Sequence, residues 1–103
     1  MIARTWRGVT KREHAQDYIE YLEGQTFPRL ATMDGFVKAT LLRREVAHGT
    51  ELLAISVWQS EQAIKQFAGE PPTRAVVPDQ VRALLVEYDE FASHYEVVDE
   101  FQV

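Results

Sequence analysis

The run Leu52-Leu53-Ala54-Ile55-Ser56-Val57-Trp58 does not alternate between apolar and polar residues. A strand exposed on one side alternates with a period of two, so a strand apolar on both faces needs a cover on each. This run predicts a central strand. The chain that contains it has 103 residues, enough for one domain and one core. A single domain over residues 1–103 is therefore expected, with little chain to spare for two covering layers.

The rest of the pattern supplies one such layer. Residues 2–9 read as a strand with Ile2, Arg4 and Trp6 on one side and Ala3, Thr5 and Arg7 on the other. Thr10-Lys11-Arg12-Glu13 has the spacing of a capping box. Ala15, Tyr18, Ile19 and Leu22 follow at helical spacing, which predicts a helix over 11–23. Gly24 is read as the end of its regular part, and Pro28 as a second helical start or a kink before Met33. Asp34-Gly35 signals a turn. Strands are expected over 36–46 and 51–58, joined as a hairpin at His48-Gly49. Ser60 is a plausible N-cap for a second helix with the stripe Ala63, Ile64, Phe67 and Ala68, closed by Gly69 and Pro71-Pro72. A short helical turn and loop over 73–80, a strand over 82–89 and a further strand or bent extension over 93–98 complete the chain.

Strand, helix, strand, strand, helix, strand is the order of a ferredoxin-like α+β sandwich. Its two helices cover one sheet face and leave the other bare. A bare apolar face predicts self-association, here a homodimer with two sheets packed face to face.

Composition narrows the partners. With 46 % hydrophobic and 26 % charged residues the chain is not globally disordered. It has no cysteine, which removes disulfides, thiolate metal sites and a cysteine nucleophile. The net charge is −5, and the pairs Lys11-Arg12 and Arg43-Arg44 are each followed by a glutamate, Glu13 and Glu45. No basic stripe for nucleic acid results. No apolar run is long enough to cross a bilayer, and the opening residues lack a secretory core. No membrane partner is expected, and the cytoplasm is the expected compartment.

The chemistry-bearing candidates are few. Arg4 and Trp6 share a strand face. Trp6 reads as a cavity wall or as core, and Arg4 as an oxyanion stabiliser or as a partner of an acidic neighbour. Trp58 at a strand end and Phe67 on a helix stripe read as core or as substrate contacts. His94 reads as a general base held in a strand, or as a surface or interface imidazole hydrogen-bonded to a carboxylate. Tyr18 is one of several tyrosines that could offer a pocket hydroxyl. His94 and Glu96 lie two apart without a third ligand, so no metal site is expected. There is no phosphate-binding glycine loop and no nucleophile elbow.

Several segments carry a family resemblance. Ile2-Ala3-Arg4-Thr5-Trp6-Arg7-Gly8, the junction Ala54-Ile55-Ser56-Val57-Trp58-Gln59-Ser60-Glu61-Gln62-Ala63-Ile64, its continuation Phe67-Ala68-Gly69-Glu70, and His94-Tyr95-Glu96-Val97-Val98 resemble the antibiotic biosynthesis monooxygenase-like domains of the dimeric α/β-barrel superfamily. The resemblance implies a ligand cavity between sheet and helices and a homodimer whose terminal segment reaches the partner. It also implies an oxygenase without cofactors, acting on a small phenol, quinol or anthrone. Arg4 and His94 would then be catalytic, and Trp6, Phe67, Trp58 and Tyr18 would bind substrate. Haem-degrading relatives use an Asn, a Trp and a His where this chain has Trp6, Phe67 and Val77, so that chemistry is not expected. A non-catalytic small-molecule binder, and a structural dimer whose cavity is filled by Trp6, Trp58 and Phe67, stay open as alternatives.

Overall fold

The computed structural model describes all 103 residues. Five strands, β1 (Ile2–Thr10), β2 (Phe36–Val46), β3 (Gly49–Trp58), β4 (Leu85–Tyr88) and β5 (Ser93–Glu96), form one antiparallel sheet. The helices are α1 (Ala15–Tyr21), α2 (Phe27–Leu30), α3 (Glu61–Ala68) and α4 (Asp79–Arg82). This is the expected ferredoxin-like α+β architecture. β3 lies between β2 and β1, so the doubly apolar run is central. β4 pairs with Gly8–Thr10 and β5 with Ile2–Thr5, along the same edge of β1. The last strand is thus one bent strand in two pieces.

Directly opposed residues of an antiparallel pair point to the same face. The register sets Arg4 opposite Ser56 and His94, Trp6 opposite Ala54, and Gly8 opposite Leu52 and Tyr88. That face carries the helices. Tyr18, Leu22, Leu52 and Val81 form one buried cluster, and Leu30, Trp58, Ala63 and Ile64 form another. The Ser60 hydroxyl accepts from the Ala63 N–H at 3.1 Å and caps α3. Gly69 ends α3 at φ 77°, a conformation that residues with a side chain rarely adopt.

Three expectations need correction. The capping box does not form. Thr10 is still the last residue of β1, its hydroxyl is buried without a partner, and the helix is entered from Lys11 through a 3-10 turn, Arg12–His14. Gly24 does not end the helix. It is not among the glycines with positive φ, and a π turn, Leu22–Thr26, carries the helix on into α2. The strand expected from residue 82 begins at Leu85, because Asp79–Arg82 is a helical turn.

The other sheet face carries no helix. The register puts Leu42 opposite Leu53, and Ile55 and Tyr95 share their side. Leu42 is 48 % exposed and Tyr95 59 %. Charges lie at one end of this face, where Glu51 bridges Arg7 and Arg44, and Arg7 also meets Glu87. No helix is long and apolar enough to cross a membrane.

Candidate functional site

A cavity of about 180 Å³ lies between the helical layer and the sheet. A void of about 150 Å³ lined by apolar side chains accepts benzene, so this one has the size for a small aromatic ring system. Because it is open, Trp6, Trp58 and Phe67 do not fill it.

β1 supplies Arg4 and Trp6 as two consecutive side chains on the helical face. The Trp6 indole stacks with Tyr18 at 6.4 Å and leans on Tyr88 at 6.3 Å, and its N–H donates to the Asp89 carbonyl at 2.8 Å. Gly8 makes this possible. A Cβ there would lie 2.6 Å from the Trp6 ring. Tyr18 is buried and lines the cavity, and burial raises its phenol well above the ordinary range. Its phenol stays neutral at physiological pH. Phe67, on α3, forms the facing wall.

Arg4 is 4 % exposed. Its Nη1 donates to the Pro72 carbonyl at 2.6 Å and approaches His94 Nε2 at 3.0 Å, while Nη2 donates to the Arg74 carbonyl at 2.8 Å. A guanidinium has five N–H donors and no acceptor. Three are engaged, and Nε–H and one Nη2–H are left over at a residue that lines the cavity. Its carbon lies 5.7 Å over the Phe67 ring. Desolvation lowers its pKa to about 10, with the Glu61 charge acting in the opposite direction. Arg4 still carries its charge at neutral pH.

His94 is not at the cavity surface. Its side chain is 7 % exposed and is held between Arg4 and Glu61, whose carboxylate lies 2.8 Å from Nδ1. Arg4 can only donate, so Nε2 must accept and the ring proton sits on Nδ1, facing Glu61. This arrangement orients Arg4, and it gives the imidazole no path to a ligand. Trp58 also lies away from the void. It is fully buried, donates to Ser56 Oγ at 2.9 Å, and packs edge-on against Phe36 and flat against Phe67. It supports the Phe67 wall from behind.

Two site residues were not anticipated. Glu61 is the third residue after the junction's strand end at Trp58, and its link to His94 spans 33 positions. Arg29 lines the cavity and sits 5.9 Å over the Phe67 ring, because the helix continues past Gly24. The helix continuation was the missing signal.

The cavity does not suit haem. No imidazole or thiolate lines it, the space is that of one or two rings rather than a macrocycle, and Val77 packs on the core. Burial holds the Tyr18 phenol neutral, which disfavours it as an iron ligand.

The fold recurs in solved structures. A monooxygenase of Streptomyces coelicolor, ActVA-Orf6, in complex with nanaomycin D is 20 % identical, with 99 % of this chain and 90 % of that one covered and a TM-score of 0.68. SnoaB, a cofactor-independent oxygenase from Streptomyces nogalater, is 19 % identical, with 96 % and 94 % covered and a TM-score of 0.65. The heme-degrader MhuD from Mycobacterium tuberculosis is 16 % identical, with 99 % and 100 % covered and a TM-score of 0.62. No curated protein matches the chain. The model of the antibiotic biosynthesis monooxygenase family matches residues 1–79, and the chain belongs to that family.

Proposed function

We propose that this protein is a cofactor-independent monooxygenase acting on a small phenolic, quinol or anthrone-like molecule. The observation that carries the reading is a buried guanidinium, with two unused N–H groups, at the wall of an aromatic cavity. Family membership and the likeness to SnoaB and ActVA-Orf6 support it.

An electron-rich ring reacts with dioxygen once it has lost a proton. No carboxylate or imidazole lines the cavity to take that proton. Arg4 instead favours the anion by hydrogen bonds, so the ring binds already ionised, its proton left in bulk water, and the dry cavity then shields it. In an anthrone-like substrate a CH2 becomes C=O, and the second oxygen atom of dioxygen leaves as water. Trp6, Tyr18 and Phe67 hold the ring. His94 and Glu61 fix Arg4. The reading includes a homodimer built on the helix-free sheet face, and a cytoplasmic location.

Oxygen uptake with dithranol as probe, above its rate in buffer and without added flavin or metal, is the test. Arg4→Met should lower kcat about 100-fold, the scale of removing an oxyanion donor. The lack of a lined base favours a second reading, a non-catalytic binder. Saturable binding without enzyme-dependent oxygen uptake would decide for that reading.

A further inference from the structure

The charges around the cavity are of one sign. The chain has 16 acidic residues against 11 basic ones, yet Arg4 and Arg29 line the void and no Asp or Glu does. Both guanidinium groups lie over the same ring, Phe67, at 5.7 and 5.9 Å. Arg29 takes part in none of the ion pairs of the chain, whereas Arg7, Arg12, Arg44 and Arg82 all do. Nor does its guanidinium donate to any group of the protein. Arg4 has only His94 between it and Glu61, and keeps two donors free.

Two cations beside a small apolar space raise its potential, and low polarisability strengthens the effect. A neutral ring would leave Arg29 without a counter-charge and Arg4 with only that of Glu61, across His94. An anionic group on the ring would sit in the field of Arg29 and take one free Arg4 donor, leaving the other for the ring oxygen. We propose that the ligand of this cavity is an aromatic carboxylate, with its ring against Trp6 and Phe67 and its carboxylate on Arg4 and Arg29. This rests on the reading of the cavity as the substrate site, and it narrows the substrate to ring systems that carry an acid group.

Calorimetric titration with naphthoate and with its neutral amide tests it on the full chain. Near neutral pH the naphthoate is fully ionised and the amide uncharged. The acid should bind at least about tenfold more tightly than the amide, a difference of about 1.4 kcal/mol. In Arg29→Gln, a change at an exposed side chain, the ratio of the two affinities should shrink by about threefold or more. Equal affinities, a tighter amide, or no binding of either at millimolar concentration would overturn the proposal. An unchanged preference in Arg29→Gln would overturn the part played by Arg29. Oxygen uptake separates the two readings. Dithranol turnover without acid preference leaves the oxygenase and removes the anion. Acid preference without turnover does the reverse.

Discussion

Arg4 is a buried cation whose position depends on an imidazole acting as acceptor. His94 can fill that role only while its Nδ1 proton is drawn to Glu61. Replacing His94 by Leu would leave one Arg4 N–H unpaired in the interior, at an expected cost of about 1–3 kcal/mol in chemical denaturation. Gln can accept from Arg4 and donate to Glu61, so His94→Gln should recover most of that stability, together with naphthoate affinity. Equal losses in the two variants would mean that imidazole shape, and not the acceptor, matters. At this scale the sequence was partly legible. Alternation along residues 2–9 put Arg4 and Trp6 on one face, and the two-residue spacing of His94 and Glu96 put both on that same face through pairing with Arg4 and Ile2. What alternation cannot tell is which neighbour claims a side chain. Glu61 comes from α3, and it turns His94 from a candidate base into a support. Trp58 reads from spacing as core or as a substrate contact, and the Phe67 ring stacked on it places it in the core.

Elements were more legible than contacts, because periodicity is local. The two long strands, their hairpin, the capped α3 and the helical face all follow from residue spacing. In the stretch 12–30 Gly24 reads as a helix end and Pro28 as a second helical start or a kink, and the structure keeps only the start. The π turn carries the chain past Gly24, and Pro28 sits in the opening turn of α2. The strands are also joined by charge. Glu51 on β3 accepts from Arg7 on β1 and Arg44 on β2, while Glu87 on β4 meets Arg7 and, at 2.6 Å, His48 of the hairpin turn. Hydrogen bonds from Arg44 and Arg7 hold the Glu51 carboxyl below its usual 4.5, and His48 and Arg7 do the same for Glu87. A carboxyl lowered in the folded state binds fewer protons there than when unfolded. Its stabilisation is present above about pH 4.5 and is lost as pH falls through the lowered folded value. The Tm of the wild type should exceed that of Glu51→Gln near neutrality, and the gap should close on acidification below pH 4.5. A gap that stays constant with pH would show that Glu51 acts by packing and not by charge.

At the scale of the whole molecule, the doubly apolar β3 has a helical layer on one side and no helix on the other. The seven residues after β5 show the same imbalance. Val97 donates to the Met1 carbonyl and Glu100 pairs with Lys38 at 3.6 Å, so the tail runs from β5 across the sheet to β2 at the far edge. Yet Phe101 is 91 % exposed, and Val98 equally so. An isolated chain gains little by carrying these side chains in water. A homodimer built on the helix-free face would bury them together with Leu42 and Tyr95. A Phe or Val side chain taken fully out of water contributes about 1.5–3 kcal/mol. Deleting residues 97–103 should therefore raise the dimer dissociation constant at least about tenfold, since each factor of ten corresponds to about 1.4 kcal/mol. Sedimentation over a dilution series reads this directly. The same dissociation constant with and without the tail would remove the tail from the interface. A wild-type chain that sediments as a monomer at all concentrations would remove the dimer, and the helix-free face of β3 would then be stable in water by itself.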